Sequence, residues 1–251
     1  AHAGNRPRRH GRMSGGGDRW RQQTLALFRD AGAGFDDFEI AGNAEAVAAT
    51  RAWAAGDGPW CLLLWGAAGV GKSHLLQAAV SAVAERGARP MYLPLFEVRT
   101  WGLEALDGLD ELDALVLDDI DALLGDRAWE ERLFTLYNRL HAAGGRLLLS
   151  APAAPRELAC TLPDLRSRLA AALVFHLVPL DDDARREALV HAAAARGMAL
   201  PDAVAVYLLR RLPREWAALY AALDSLDAAS LSAGRALTVP FVREVLRLEV
   251  E

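Results

Sequence analysis

The sequence predicts an αβα three-layer domain built on a parallel sheet, followed by a small all-helical domain. Three observations predict it. Short apolar runs alternate with helical patterns from Phe35 to residue 178. One strand-to-helix junction carries a complete glycine-rich phosphate-binding loop, Gly66-Ala67-Ala68-Gly69-Val70-Gly71-Lys72-Ser73. After Pro179 the strand signals stop and the pattern turns wholly helical. A chain of 251 residues, 53% of them hydrophobic, suffices for one such domain and a smaller companion.

Taken in order, residues 1–34 read as a flexible tail. Arg6, Arg8, Arg9, Arg12, Arg19 and Arg21 crowd around Gly15-Gly16-Gly17. Position 1 is not methionine, and Met13 reads as the natural start. Trp60–Trp65 is an apolar run bounded by Gly58-Pro59, so it reads as a buried strand, and His74–Val80 as the helix after it. Further strands are expected at Met91–Leu95, Ala114–Leu117, Arg146–Leu149 and Leu173–Leu177. Leu133, Leu136, Tyr137 and Leu140 recur at helical spacing and mark an amphipathic helix that ends at Gly144-Gly145. Residues 181–251 read as helices, with Trp216, Leu219, Tyr220 and Leu223 in one stripe and Pro240 opening the last. The expected boundaries are a tail over 1–34, a nucleotide-binding domain over 35–178 and a helical lid over 179–251.

The loop chemistry is specific. Of 28 basic residues only Lys72 is a lysine. Glycines let backbone N–H groups close around phosphate oxygens, and the next helix points its positive end at them. A compact ammonium reaches β- and γ-phosphates where a planar guanidinium fits poorly. The Ser73 hydroxyl suits a magnesium ion, and His74 continues the nucleotide-binding segment. About 45 residues on, Asp113-Ala114-Leu115-Val116-Leu117-Asp118-Asp119-Ile120-Asp121 is an apolar strand ending in acids. In a parallel sheet those acids lie at the ligand-binding edge. Asp118 is expected to hold the magnesium water shell and Asp119 to orient an attacking water.

Composition excludes other classes. A net charge of −5 argues against a general nucleic-acid binder. Cys61 and Cys160 are isolated, with neither metal-site spacing nor a disulfide framework, which points to a reducing cytoplasm. No apolar run reaches the roughly 20 residues needed to span a bilayer.

With both nucleotide motifs in place, the chain resembles the AAA+ ATPases related to the bacterial replication initiator DnaA, and within them the shorter Hda branch. The resemblance covers residues 22–250. It rests on Phe35-Asp36-Asp37-Phe38 with Asn43, the phosphate loop and Leu117-Asp118-Asp119-Ile120. Leu136-Tyr137-Asn138-Arg139-Leu140, Leu162-Pro163-Asp164-Leu165-Arg166-Ser167-Arg168-Leu169 and Val239–Leu246 extend it. Only Phe96–Leu112 separates the second and third expected strands, and the sequence stops after the lid, both as in Hda rather than DnaA.

The resemblance implies roles. Arg168 corresponds to the arginine finger that reaches a nucleotide on a neighbouring subunit. Arg214, in Pro213-Arg214-Glu215, corresponds to the lid's sensor arginine. Gln22-Gln23-Thr24-Leu25-Ala26-Leu27-Phe28 resembles peptides that dock on the sliding clamp, the β subunit of DNA polymerase III. Gln22, Leu25, Leu27 and Phe28 are its anchors. Phe38 and Ile40 are the candidate adenine contacts. The family usually carries an acid after the fourth strand, whereas this chain reads Leu149-Ser150-Ala151-Pro152, leaving Ser150 as the polar candidate toward the nucleotide.

The implied function is a regulator that binds ADP or ATP with Mg2+. It docks on DNA-loaded clamp and promotes hydrolysis of ATP held by DnaA, restraining re-initiation. It would be cytoplasmic and associated with the nucleoid through the clamp, without sequence-specific DNA binding or a membrane. Whether the chain forms a homodimer stays open. The alternative is an autonomous DnaA-like ATPase, a helicase loader or truncated initiator using its own Asp119. A small-molecule kinase is disfavoured by the lid and by the lack of an acceptor site.

Overall fold

The computed structural model describes residues 34–35, 38, 42–213 and 216–247. A helix, α1 (Ala44–Ala55), leads into β1 (Cys61–Trp65), and α2 (Lys72–Glu85) returns the chain to β2 (Pro90–Pro94). A short helix, α3 (Leu95–Trp101), and two 3-10 turns connect to β3 (Ala114–Asp118). Then come α4 (Arg127–Ala142), β4 (Arg146–Ala151), α5 (Pro163–Ala170) and β5 (Leu173–His176). The lid holds α6 (Asp182–Ala195), α7 (Asp202–Arg211), α8 (Trp216–Ala233) and α9 (Val239–Leu246).

The five strands form one sheet in the order β2-β3-β4-β1-β5, and every pair is parallel. The expected αβα architecture with a helical lid is the one observed. Each strand lies within a residue or two of its expected place, because Gly, Pro or Asp marks at least one end of each apolar run. Alternation divides the core in two. Leu62, Leu64, Val116 and Leu148 pack with α1 and α2 on one face, and Leu63, Leu115, Leu117, Leu147 and Leu149 with α4 and α5 on the other. A third apolar cluster, with Leu189, Leu208, Leu223 and Phe241, holds the lid helices together. Thr238 caps α9 by accepting from the Phe241 N–H, with a proline in the first turn.

One side chain ties the chain before α1 to the chain leaving the sheet. Asn43, buried, donates from Nδ2 to the Val178 carbonyl at 3.0 Å and accepts the Val178 N–H at 2.9 Å. An amide carries one donor and one acceptor side by side, so it matches the C=O and N–H of a single extended residue. It fixes where the last strand hands over to the lid.

Candidate functional site

The phosphate loop runs from the carboxyl end of β1 to the first turn of α2. Two glycines in it are dictated by their surroundings. Gly66 has φ +155°, and a Cβ there would come within 2.5 Å of the Leu177 carbonyl. Gly71 has φ +99°, and a Cβ there would meet the Phe38 ring at 2.5 Å. Any side chain at either position pushes the loop away from its neighbours. The Lys72 ammonium is buried and donates to the loop carbonyls of Gly66 at 2.8 Å and Ala67 at 3.0 Å. Ser73 is exposed one residue further, at the N-terminus of a 14-residue helix. These donors fit a polyphosphate: backbone N–H groups, a helix N-terminus and one ammonium.

The acids at the end of β3 are arranged unequally. Asp118 is buried, and each of its oxygens accepts a hydroxyl, Oδ2 from Tyr92 at 2.5 Å and Oδ1 from Ser150. Burial pushes the Tyr92 phenol upward, and the Asp118 charge adds to it, so Tyr92 stays a donor. Asp119 is only partly buried and adopts a left-handed φ of +56°, a conformation that aspartate tolerates better than most residues. Burial, then the neighbouring Asp118 charge, raises its carboxyl to about 6, while Lys72 opposes the rise. Ser150, fully buried, also accepts the Asp119 N–H at 2.7 Å. Its hydroxyl therefore joins the two acids rather than pointing out of the protein toward a ligand. Among the described residues no cluster of three or more His, Cys, Asp or Glu could hold a metal. A magnesium ion at Ser73 and the β3 acids would thus take most of its ligands from phosphate and water, which is its usual habit.

Beside the loop lies a small cleft open to solvent. Phe38, Val70, Gly71 and His74 line one side; Leu180, Ala188, Trp216 and Tyr220, from the lid end of the chain, line the other. Its rings form a series, with centroids 5.6 Å apart from Phe38 to His74, 6.3 Å from His74 to Tyr220 and 5.6 Å from Tyr220 to Trp216. Flat apolar faces beside a phosphate loop suit a purine base. Trp216 and Tyr220 read in the sequence as members of a core stripe. Leu219 and Leu223 of that stripe are indeed buried, but the two aromatic residues are partly exposed at the cleft.

Arg168 is not among the residues lining this cleft and is exposed on α5. Its guanidinium carbon lies 6.0 Å from the centroid of the Tyr137 ring on α4. Tyr137 packs edge-on against Trp60 at 4.6 Å, and Trp60 stacks on His141 at 4.1 Å. The structure therefore places the phosphate-loop residues, Asp118, Asp119, Ser150, Phe38 and His74 along one edge and Arg168 elsewhere. Ile40, Arg214 and the Gln22, Leu25, Leu27 and Phe28 segment lie outside the described residues.

Comparison with known proteins agrees with this geometry. The model of the Hda lid domain matches residues 182–246, and that of the bacterial DnaA ATPase domain matches residues 103–176. A family of unknown function (DUF815) matches residues 40–116. Domain III of DnaA from Thermotoga maritima superposes with a TM-score of 0.71 at 24% identity, over 86% of this chain and 95% of that one. AMPPCP-bound DnaA from Aquifex aeolicus gives 0.63 at 21% identity, over 76% of this chain and 63% of that one. A Thermotoga maritima RuvB variant gives 0.57 at 18% identity, over 80% and 65%.

Proposed function

We propose that this chain, a member of the Hda/DnaA family of AAA+ proteins, is a nucleotide-holding regulator that acts on ATP bound by the initiator DnaA. One observation carries the reading: Arg168 is exposed on α5, away from the chain's own phosphate loop, in a chain with an Hda-type lid. An arginine so placed suits a nucleotide held by a neighbour.

Each group then has a task. The Gly66–Ser73 loop and Lys72 hold the phosphates of ADP or ATP, and Ser73 with the β3 acids faces the magnesium that accompanies them. Phe38, His74, Trp216 and Tyr220 take the base, and Arg214 reaches the nucleotide from the lid. Because residues of both the loop and the lid line the cleft, they would hold a nucleotide jointly and so set the shape offered to the partner. Gln22, Leu25, Leu27 and Phe28 dock on the sliding clamp and bring the chain to replicating DNA in the cytoplasm. Arg168 then enters the DnaA site and neutralises charge that develops on the γ-phosphate. The intact Lys72, Asp118 and Asp119 favour a second reading, an autonomous ATPase.

The experiment that separates them measures ATP hydrolysis by ATP-loaded DnaA with clamp and DNA, and by the chain alone. Arg168→Ala is expected to lose stimulation by about 10³-fold or more, the scale of an arginine supplied in trans. It keeps ADP binding. Deleting residues 1–29 abolishes the dependence on clamp and spares ADP binding. Full stimulation by Arg168→Ala, with turnover by the chain alone that dies in Asp119→Asn, would hand the function to the ATPase reading.

A further inference from the structure

Glu130, in the first turn of α4, is followed directly by a second acid, Glu131. The structure treats them differently. Glu131 is exposed and pairs with Arg127 at 2.7 Å. Glu130 is fully buried. Its carboxylate accepts five hydrogen bonds from two loops. Oε1 takes the Gly125 N–H at 2.8 Å and shares the Thr161 N–H at 2.9 Å. Oε2 takes the Thr161 N–H at 3.1 Å, the Thr161 hydroxyl at 2.6 Å and the Leu162 N–H at 2.7 Å. A buried carboxylate is tolerated only when its lone pairs are met in this way.

Two of these donor residues lead directly into α5. Leu162 is the N-cap residue of α5, which has no side-chain cap of its own, and Pro163 brings no N–H. The start of α5 is therefore held through Glu130. Arg168 lies six residues on, about 9 Å along a helix of only eight residues. Near its other end, the Tyr137 hydroxyl approaches the Arg168 carbonyl at 3.5 Å, and the Tyr137 ring lies under the guanidinium. Tyr137 and Glu130 both stand on α4. The arginine-bearing helix is thus fixed at both ends by one helix of the sheet domain, while its outward face stays exposed.

We propose that Glu130 is a positioning residue for Arg168: by anchoring Thr161 and Leu162 it sets the pose of α5 and the reach of the arginine into a partner's nucleotide site. This rests on the reading of Arg168 as a residue acting in trans. Arginine catalysis of phosphoryl transfer depends on placement, and about 1 Å of misplacement can cost about 10²-fold. Glutamine keeps the shape of Glu130 but turns an NH2 group toward donor N–H groups, so the anchor loosens without leaving a cavity.

The test uses the full chain with clamp, DNA and ATP-loaded DnaA, titrating the chain so that the maximal stimulated rate and the half-saturating concentration are read separately. Glu130→Gln is expected to lower the maximal rate tenfold to a hundredfold, with the half-saturating concentration and the ADP-induced rise in melting temperature unchanged. Thr161→Val, which removes only one hydroxyl, lowers the maximal rate by a smaller factor and serves if Glu130→Gln fails to fold. In an Arg168→Ala background Glu130→Gln reduces the residual rate no further, because its effect passes through the arginine. A wild-type maximal rate in both Glu130→Gln and Thr161→Val overturns the proposal, as does an equal proportional loss with and without Arg168. If Arg168→Ala alone stimulates like wild type, the reading in trans falls, and the role of Glu130 falls with it; that single variant tells the two failures apart.

Discussion

At the phosphate loop the charged groups turn inward: Lys72 is buried against two loop carbonyls and Asp118 against two hydroxyls. At the corner of α4 and α5 the arrangement is reversed. The buried group, Glu130, is a support, and the charge on offer, Arg168, stands exposed over Tyr137. Both regions bury a carboxylate among hydrogen-bond donors, yet to different ends. The first shapes a loop beside an open cleft, with Gly66 and Gly71 fitted against Leu177 and Phe38. The second ties down the start of a short helix that carries an exposed arginine. In the function proposed above, the contrast separates holding a nucleotide from acting on one.

The sharpest way to break that separation is at Lys72. Lys72→Ala removes the single lysine of the sequence, the ammonium bonded within the loop, and leaves Arg168 untouched. At a concentration about 100 times its Kd, ADP stabilises a folded protein by about 2.7 kcal/mol. At about 2–4 °C per kcal/mol for a chain of this size, wild type gains about 5–10 °C. The variant is expected to lose that gain. If ADP raises its melting temperature as much as that of wild type, the loop is not the phosphate site.

A second prediction probes the supporting side. Burial works to raise the Glu130 carboxyl, but the Thr161, Gly125 and Leu162 hydrogen bonds outweigh it and hold the group below its ordinary value of 4.5. A lowered folded-state value means stability that is present above 4.5 and is lost as pH falls through the folded value. Hydrogen bonds to a charged group are worth about 1.5–3 kcal/mol each, so Glu130→Gln lowers the melting temperature at pH 7 by about 5 °C or more. The gap from wild type narrows below pH 4.5. Thermal scans from pH 7 to 3.5 check this, and a gap constant across the range contradicts it.

The two regions are not equally legible in the sequence. The phosphate loop and the acids of β3 are local patterns, and Gly, Pro or Asp marks at least one end of each strand, so the sheet can be read directly. The position of Ser150 after the fourth strand suggests a contact with the nucleotide. Its partners, Asp118 and the Asp119 N–H, depend on how β3 lies beside β4, which local spacing does not encode. Trp216 and Tyr220 read as core because they share a helical stripe with Leu219 and Leu223; only the packing of α8 against the sheet domain exposes their edge to the cleft. Glu130 gives no signal at all. Two of its three partner residues, Thr161 and Leu162, lie 31 and 32 residues away, and a glutamate in a first helical turn is commonplace.

The smallest expected effect lies back at the cleft, where a carboxylate is shifted the other way. Burial and the Asp118 charge raise Asp119 to about 6 from 3.8. A raised carboxyl favours the neutral form, so ionisation costs stability as pH rises from about 4 through 6. Asp119→Asn should therefore melt slightly higher than wild type at pH 8 and converge with it near pH 4, the reverse of the Glu130→Gln profile. Asp119 is partly exposed, so water screens the charge and the gain amounts to about a degree or two. Adding ADP with magnesium brings a cation to the same edge, favours the ionised form and reduces the difference. A variant that melts lower than wild type at pH 8 would show that the Asp119 carboxylate supports the fold rather than straining it. The cleft would then be built, like the α4–α5 corner, on a stabilising charge, and the contrast between the two regions would be lost.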